Sequence, residues 1–321
     1  MMNKHNLMLK NLATRFVVLI TILSIAVVSP AHACTRLVYQ GGTNGPITAR
    51  SMDWLSFPGT ELWVFPKGMK RDGGTDCNPI RWTSKYGSIV TSSYDFGTVD
   101  GMNEEGLVTN LLFLTETDYG HIEPEETSLS IGAWGQYVLD NYATVNEAVT
   151  ALEEEPFRII TGTVLDLLRL KFPNFPIQKL KKSGTMKFSL HMSLSDASGD
   201  SAIFEYIDGK LNIHHDKEYE VLTNDPLFDQ QLAINSYWDA LYSNLENDMV
   251  SSGFLPGTTS PSDRFVRASY YLAKMNSNQI SELQKNRRNE LAAALGIIRN
   301  VSNPLGLSGF NVATTQWRTV A

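Results

Sequence analysis

The chain's first 33 residues do not read as part of a globular fold, and they end at a bond whose far side is a cysteine. Lys4, Lys10 and Arg15 precede a continuous apolar run over residues 16–28, and Ser29, Pro30 and Ala31-His32-Ala33 follow. A basic start, an apolar run of roughly 7–15 residues and an A-x-A ending are the parts of a secretory signal peptide. The run falls short of the about 20 apolar residues that a membrane-spanning helix needs. Residues 1–33 are therefore expected to be a signal peptide, with residues 34–321 as the exported domain and Cys34 as its first residue. Lipoprotein signals would place Leu three residues before the cysteine, with small residues between. Ala31, His32 and Ala33 fit ordinary cleavage better.

Loss of Lys4, Lys10 and Arg15, with no acidic residue among the first 33, takes the formal charge from −7 to −10. So acidic a domain is a poor ligand for nucleic acid or an anionic membrane surface. No second apolar stretch reaches spanning length, so no stable membrane insertion is expected after processing. The only cysteines are Cys34 and Cys77. In an exported protein two cysteines could form one disulfide, but the place of Cys34 on the cleavage bond argues for a different use.

After Cys34 the sequence reads as strands over residues 35–40, 47–52, 61–66, 88–94 and 107–114, with turn residues between them. Apolar residues then recur at helical spacing over residues 130–152, divided near residues 141–144. Residues 157–172 are apolar and fit either helix or extended chain. A second strand-rich block covers 186–194, 201–207, 210–215 and 219–222, and helices are expected over 229–247, 263–275 and 279–297. Strands and helices in this order predict one α+β body with helices packed on sheet faces.

A cysteine thiol is mostly neutral near pH 7 and needs a base to attack an amide carbon. His121, His191, His214 and His215 lie in no recognisable setting for that task. An N-terminal cysteine brings its own base, because a free α-amine titrates near 7.7–8.0. Signal cleavage would then be the activating step. Three further groups are required: a cation beside the thiolate, a carboxylate to orient the ammonium, and paired donors for the oxyanion. Arg50 and Asp53, sixteen and nineteen residues after Cys34, are candidates, since a strand, a turn and a second strand would return them to its side. On spacing alone they would equally suit a surface ion pair.

Cys34-Thr35-Arg36 with Ala49-Arg50-Ser51-Met52-Asp53-Trp54 resembles the choloylglycine hydrolase family, which holds bile salt hydrolases and penicillin V acylases. Five more segments match in order: Gly101-Met102-Asn103-Glu104-Glu105-Gly106-Leu107, Tyr142-Ala143-Thr144-Val145, Leu190-His191-Met192-Ser193-Leu194-Ser195-Asp196, Thr223-Asn224-Asp225-Pro226, and Ser262-Asp263-Arg264-Phe265-Val266-Arg267-Ala268. The likeness runs from Cys34 to about Trp317. It implies an N-terminal-nucleophile hydrolase with a four-layer αββα sandwich and no metal or organic cofactor. It makes Cys34 the nucleophile, Arg50 the cation at the thiol, Asp53 the partner of the amine, Asn224 an oxyanion donor and Arg264 a further site residue. Phe113 stands where the family supplies the second oxyanion donor, a role its backbone N–H could fill. On residue type alone, Asn224 would be a turn residue and Arg264 a solvated charge.

The resemblance also implies a small acyl amide as substrate, of the penicillin V or conjugated bile acid type. N-acyl homoserine lactones or lipid amides are the alternatives in the same fold, and a non-enzymatic exported lipoprotein lies outside it. Trp54 and Met52 are the first candidates to line an acyl pocket, followed by Trp82, Phe113, Leu114 and Trp134. Periplasmic export in a Gram-negative cell and a homotetramer are expected as well. The family continues for another strand or two beyond the point matched by Ala321, so C-terminal strands are expected to be missing. Intact mass and N-terminal sequencing of the exported protein should show residues 34–321 with a free α-amine on Cys34. An acylated Cys34 or an uncleaved N-terminus would rule out the proposed activation.

Overall fold

The computed structural model describes residues 33–41, 45–55, 57–163, 187–245, 255–276, 286–306 and 313–321. The first half of the chain forms β1 (Thr35–Tyr39), β2 (Ile47–Trp54), β3 (Glu61–Phe65), β4 (Lys70–Asp72), β5 (Arg81–Thr83), β6 (Ser88–Ser93), β7 (Gly97–Asn103), β8 (Val108–Phe113) and β9 (Ser128–Ser130). Helices α1 (Ile131–Asn141) and α2 (Val145–Leu152) follow, and β10 (Arg158–Ile160) comes after them. The second half holds β11 (Leu190–Ser195), β12 (Ser201–Ile207), β13 (Lys210–His215) and β14 (Val221–Thr223). Then come α3 (Phe228–Leu245), α4 (Pro261–Asn276), α5 (Arg287–Asn300) and β15 (Thr314–Val320).

Two sheets make the centre. One has the order β14-β1-β2-β15 and the other β13-β12-β11-β8-β7-β6-β3. Helices α4 and α5 cover the outer face of the first, where Phe265, Leu272 and Ile298 pack on Leu37 and Ile47. Helices α1 and α2 cover the outer face of the second, where Trp134, Val138 and Val149 meet Met192 and Phe204. Helix, sheet, sheet and helix are the four layers expected from the sequence. Every residue of β1 and β2 is buried, because both faces of these strands lie against another layer.

The facing surfaces of the sheets are tied by polar side chains. Arg36 on β1 is wholly buried and donates to the carbonyls of Leu194 and Tyr219 (both 2.9 Å) and to Ser201 Oγ (3.0 Å). Burial pulls its guanidinium down to about 9, and these three acceptors take up Nη1 and Nη2. Thr48 and Ser195 share a hydroxyl contact of 2.7 Å nearby.

The expected elements appear with shifted ends: β14 begins two residues after 219, and α5 begins at Arg287 behind its cap Asn286, whose side chain accepts the Asn289 N–H. The earlier part of the expected helix, residues 279–285, lies outside the described residues. Of the ambiguous stretch 157–172, residues 158–160 form a strand parallel to β9, and residues 164–172 lie outside the described residues. Strands β4, β5 and β9 are three residues each, too short for a periodic signal, and β7 carries Asp100-Gly101 at its centre. β15 was also not expected. It is the outer strand beside β2, and Thr48 and Ala321 exchange both backbone hydrogen bonds (3.0 and 2.8 Å). Both cysteines are free thiols, Cys34 buried and Cys77 exposed, so the disulfide is not formed.

Glu205 on β12 shows what charge burial costs this fold. Burial opposes its ionisation, yet hydrogen bonds from His191 (3.1 Å) and His214 (3.4 Å) hold the carboxyl down at about 2. A carboxylate with a depressed folded pKa stabilises fully above its unfolded pKa, and that contribution is lost as pH falls towards the folded value. Chemical denaturation as a function of pH should therefore lose stability between about pH 4.5 and pH 2. Glu205→Gln should lower stability at pH 7 and flatten that limb; an unchanged acid limb would contradict the assignment.

Candidate active site

The backbone pairing of β1 builds the site. Thr35 stands opposite Thr223 on one side and Ser51 on the other. Continued by one residue, the same antiparallel pairing sets Cys34 between Asn224 and Met52. Residues opposite one another in an antiparallel pair project to the same face. Cys34 is 4% exposed, and the Asp53 N–H reaches its Sγ at 3.4 Å. Burial pushes the Cys34 thiol up, while the positive charge of Arg50 pulls it down.

Side chains alternate along β2, so Arg50, Met52 and Trp54 take one face while Ser51 and Asp53 take the other. Arg50 points between the sheets. Its Nη1 pairs with Asp100 Oδ2 on β7 at 2.7 Å, and Nη2 donates to the Leu111 carbonyl on β8 at 2.5 Å. Asp100 also accepts from Asn110 Nδ2 (2.9 Å) and Trp317 Nε1 (2.8 Å). The Trp317 ring lies 6.0 Å from the Arg50 guanidinium.

Asp53 points to the helix face and meets a different arginine. Arg264 on α4 reaches Asp53 Oδ2 at 2.8 Å, and Thr315 Oγ1 donates to Asp53 Oδ1 at 2.5 Å. Burial pushes the Asp53 carboxyl up, and Arg264 and the Thr315 hydroxyl act against that push. Arg264 Nη1 donates to the carbonyls of Val301 (2.6 Å) and Ala33. The peptide joining Ala33 to Cys34 thus lies against the Arg264–Asp53 pair, with Ala33 itself fully buried. Arg264, far from being a solvated charge, is 1% exposed.

Asn224 is completely buried, and neither its Oδ1 nor its Nδ2 has a hydrogen-bond partner among the described residues. Buried polar atoms are nearly always paired, so an orphaned amide across from a cysteine marks a place where something polar arrives. Cys34, Arg50, Met52, Trp54 and Phe113 line a cleft that is open at its mouth. Trp54 is fixed there by stacking on Phe188 (6.3 Å, 12°) and by donating Nε1 to Tyr94 Oη at 2.7 Å.

The other seven residues expected at the site lie around Cys34: Arg50, Met52, Trp54 and Phe113 line the cleft with it, Asn224 lies across from it at the end of β14, and Asp53 and Arg264 lie behind it. Three other aromatic or apolar candidates lie elsewhere. Trp134 packs in the core on Tyr206 (5.8 Å), and Leu114 is fully buried away from the cleft lining. Trp82 donates to Asp140 at 2.7 Å on the outer face of the large sheet. Asp100, Trp317 and Thr315 went unread, because a lone polar residue in a strand carries no sign of the distant charge it meets. Tyr94 and Phe188 carried no signal either, since each lies at a strand end.

A buried cysteine at the head of a strand, an arginine beside it, an acidic partner behind it and an unpaired amide opposite form an arrangement suited to acyl transfer. The model of the linear amide C–N hydrolases of the choloylglycine hydrolase family matches residues 34–321. The chain belongs to this family and is a hydrolase of linear amide C–N bonds. It is 46% identical to a penicillin V acylase of Pectobacterium atrosepticum over 90% of this chain and 75% of that one. A bile salt hydrolase/transferase of Clostridium perfringens is 28% identical over 76% and 73%. The solved penicillin V acylase of Agrobacterium tumefaciens superposes with a TM-score of 0.73 at 46% identity, over 89% of this chain and 79% of that one. None of the described helices is long and apolar enough to cross a membrane.

Asp100 is the counter-charge of an arginine that water does not reach. Asp100→Ala would leave Arg50 buried and unpaired, and should cost about 3–5 kcal/mol in urea unfolding. A loss under about 1 kcal/mol would mean that another group carries the Arg50 charge.

Proposed function

We propose that the chain, processed to begin at Cys34, cleaves the phenoxyacetyl amide of penicillin V by acyl transfer through Cys34. The Cys34 α-amine takes the thiol proton as Sγ attacks the amide carbonyl carbon. The side-chain amide of Asn224 and the backbone N–H of Phe113 receive the negative charge that develops on the carbonyl oxygen. The ammonium then protonates the leaving nitrogen, the C–N bond breaks, and a thioester remains on Cys34. Water, deprotonated by the same amine, adds to the thioester and releases phenoxyacetate and the free thiol.

Arg50 stabilises the thiolate, and Asp53 and Arg264 hold the α-amine in place once Ala33 has gone. The observation that carries this reading is the unpaired, fully buried Asn224 amide, which faces Cys34 where the β1–β14 pairing runs on by one residue beyond Thr35 and Thr223. Two further facts support the acyl group. The cleft wall is aromatic at Trp54, Phe96, Phe113 and Phe188, as an aryl acyl chain would require, and two relatives named penicillin V acylases are each 46% identical. Residues 1–33 serve in this reading as the export signal to the periplasm of a Gram-negative cell, and four copies assemble into a homotetramer.

The test is turnover by the processed protein of penicillin V, glycocholate and an N-acyl homoserine lactone, compared by kcat/KM. Penicillin V should lead, and Cys34→Ser should reduce its hydrolysis by at least about a hundredfold. A lead for glycocholate or the lactone would overturn the acyl assignment, and hydrolysis of none would overturn the proposal.

A further inference from the structure

Asn224 has no side-chain partner among the described residues, so its amide is aimed by the backbone that carries it. That backbone is held from two sides, by helix α3 and by the large sheet. Gln231, in the first turns of α3 and fully buried, spends its whole side-chain amide on residues 223–226. Its Nε2 donates to the carbonyls of Thr223 (3.1 Å), Asn224 (3.0 Å) and Pro226 (2.6 Å). Its Oε1 accepts the Thr223 N–H and the Thr223 hydroxyl, both at 3.0 Å.

The second hold crosses to the other sheet. Asp225 Oδ1 accepts the backbone N–H of Thr115 at 2.7 Å, two residues beyond Phe113 on the end of β8. One hydrogen bond therefore joins the turn bearing Asn224 to the strand bearing Phe113. The start of α3 is fixed in turn by Glu205, whose carboxylate accepts the Phe228 N–H at 3.1 and 3.3 Å.

From this geometry we infer that Gln231 and Asp225 are positioning residues for amide hydrolysis, locking the Asn224 amide at a set distance from β8. The inference rests on the reading of Asn224 as an oxyanion donor. Such a donor works only near 2.7–3.1 Å from the oxygen that becomes charged, and misplacement by about 1 Å can cost a hundredfold in rate. Two sheets in different layers must supply the two donors, so their relative position matters more than the stability of either.

The experiment compares kcat, KM and Tm on penicillin V for Asn224→Ala, Asp225→Ala, Asp225→Asn and Gln231→Met, with Asp225→Ala repeated in the Asn224→Ala background. Asp225→Ala and Gln231→Met should each lower kcat about ten- to fiftyfold with KM within about twofold, a fraction of the hundredfold or more lost with an oxyanion donor itself. Asp225→Asn should stay within about threefold, because its Oδ1 still accepts the Thr115 N–H. In the Asn224→Ala background, Asp225→Ala should add less than about twofold, since nothing is left to position. Undiminished kcat in Asp225→Ala, or a full further loss in the double variant, would overturn the positioning role. Asn224→Ala at wild-type kcat would instead overturn the oxyanion reading. The Asp225–Thr115 bond is exposed, so Asp225→Ala carries the test alone should Gln231→Met fail to fold.

Discussion

Arg50 and Asp53 lie three residues apart on a strand buried on both faces, so they point in opposite directions and neither can neutralise the other. Each needs its own counter-charge in a place without water, where an unpaired ion is strongly destabilising. The chain answers with Asp100 from the large sheet for Arg50 and with Arg264 from helix α4 for Asp53. These two pairs bind the central strand to the layers on either side. They also bracket the head of β1, so the same charges that order the fold surround Cys34.

The placement of Ala33 follows from this frame. Its carbonyl is taken by Arg264 while Arg264 holds Asp53, so the bond before Cys34 lies inside the charged pair. In the proposed mechanism, removal of that residue exchanges a neutral amide for an amine at the same spot, beside a carboxylate and a guanidinium. A carboxylate favours the protonated amine and a neighbouring cation opposes it. Together they can leave a base that works near neutral pH, which a buried thiol without a histidine requires.

Much of the fold was legible because its long strands and helices keep their periods. Residues 130–152 divide into two helices where the pattern breaks, and the strands expected over 201–207 and 210–215 form and pair with each other. The four-layer arrangement and the membership of the site came from ordered motifs, with Cys34 and Arg50 at one end of the chain and Arg264 near the other. What stayed hidden were partnerships across large sequence separations. Nothing near Asp100 announces Arg50, fifty residues away, and nothing near Thr315 announces Asp53, 262 residues away. The burial of Arg264 was equally unreadable, because a charge at a helix start is ordinarily solvated and only the approach of β2 removes the water.

The aromatic candidates divided for the same reason. Trp54 reached the cleft because β2 alternation puts it on the face of Arg50 and Met52. Trp134 has a helical neighbour pattern and went to the core, and Trp82 found Asp140 on the outer side of the large sheet. A large apolar residue does not say which face it takes until the strand pairing is known.

In the proposed mechanism the α-amine of Cys34 is the base, and the residue before it must leave. Two forms of the protein decide it, one beginning at Cys34 and one beginning at Ala33, assayed side by side for amide hydrolysis with matched thermal stability. The form beginning at Cys34 should turn over substrate, and the form retaining Ala33 should be inactive, its amine replaced by an amide bound to Arg264. Equal activity in both would contradict the account, because the base would then lie elsewhere.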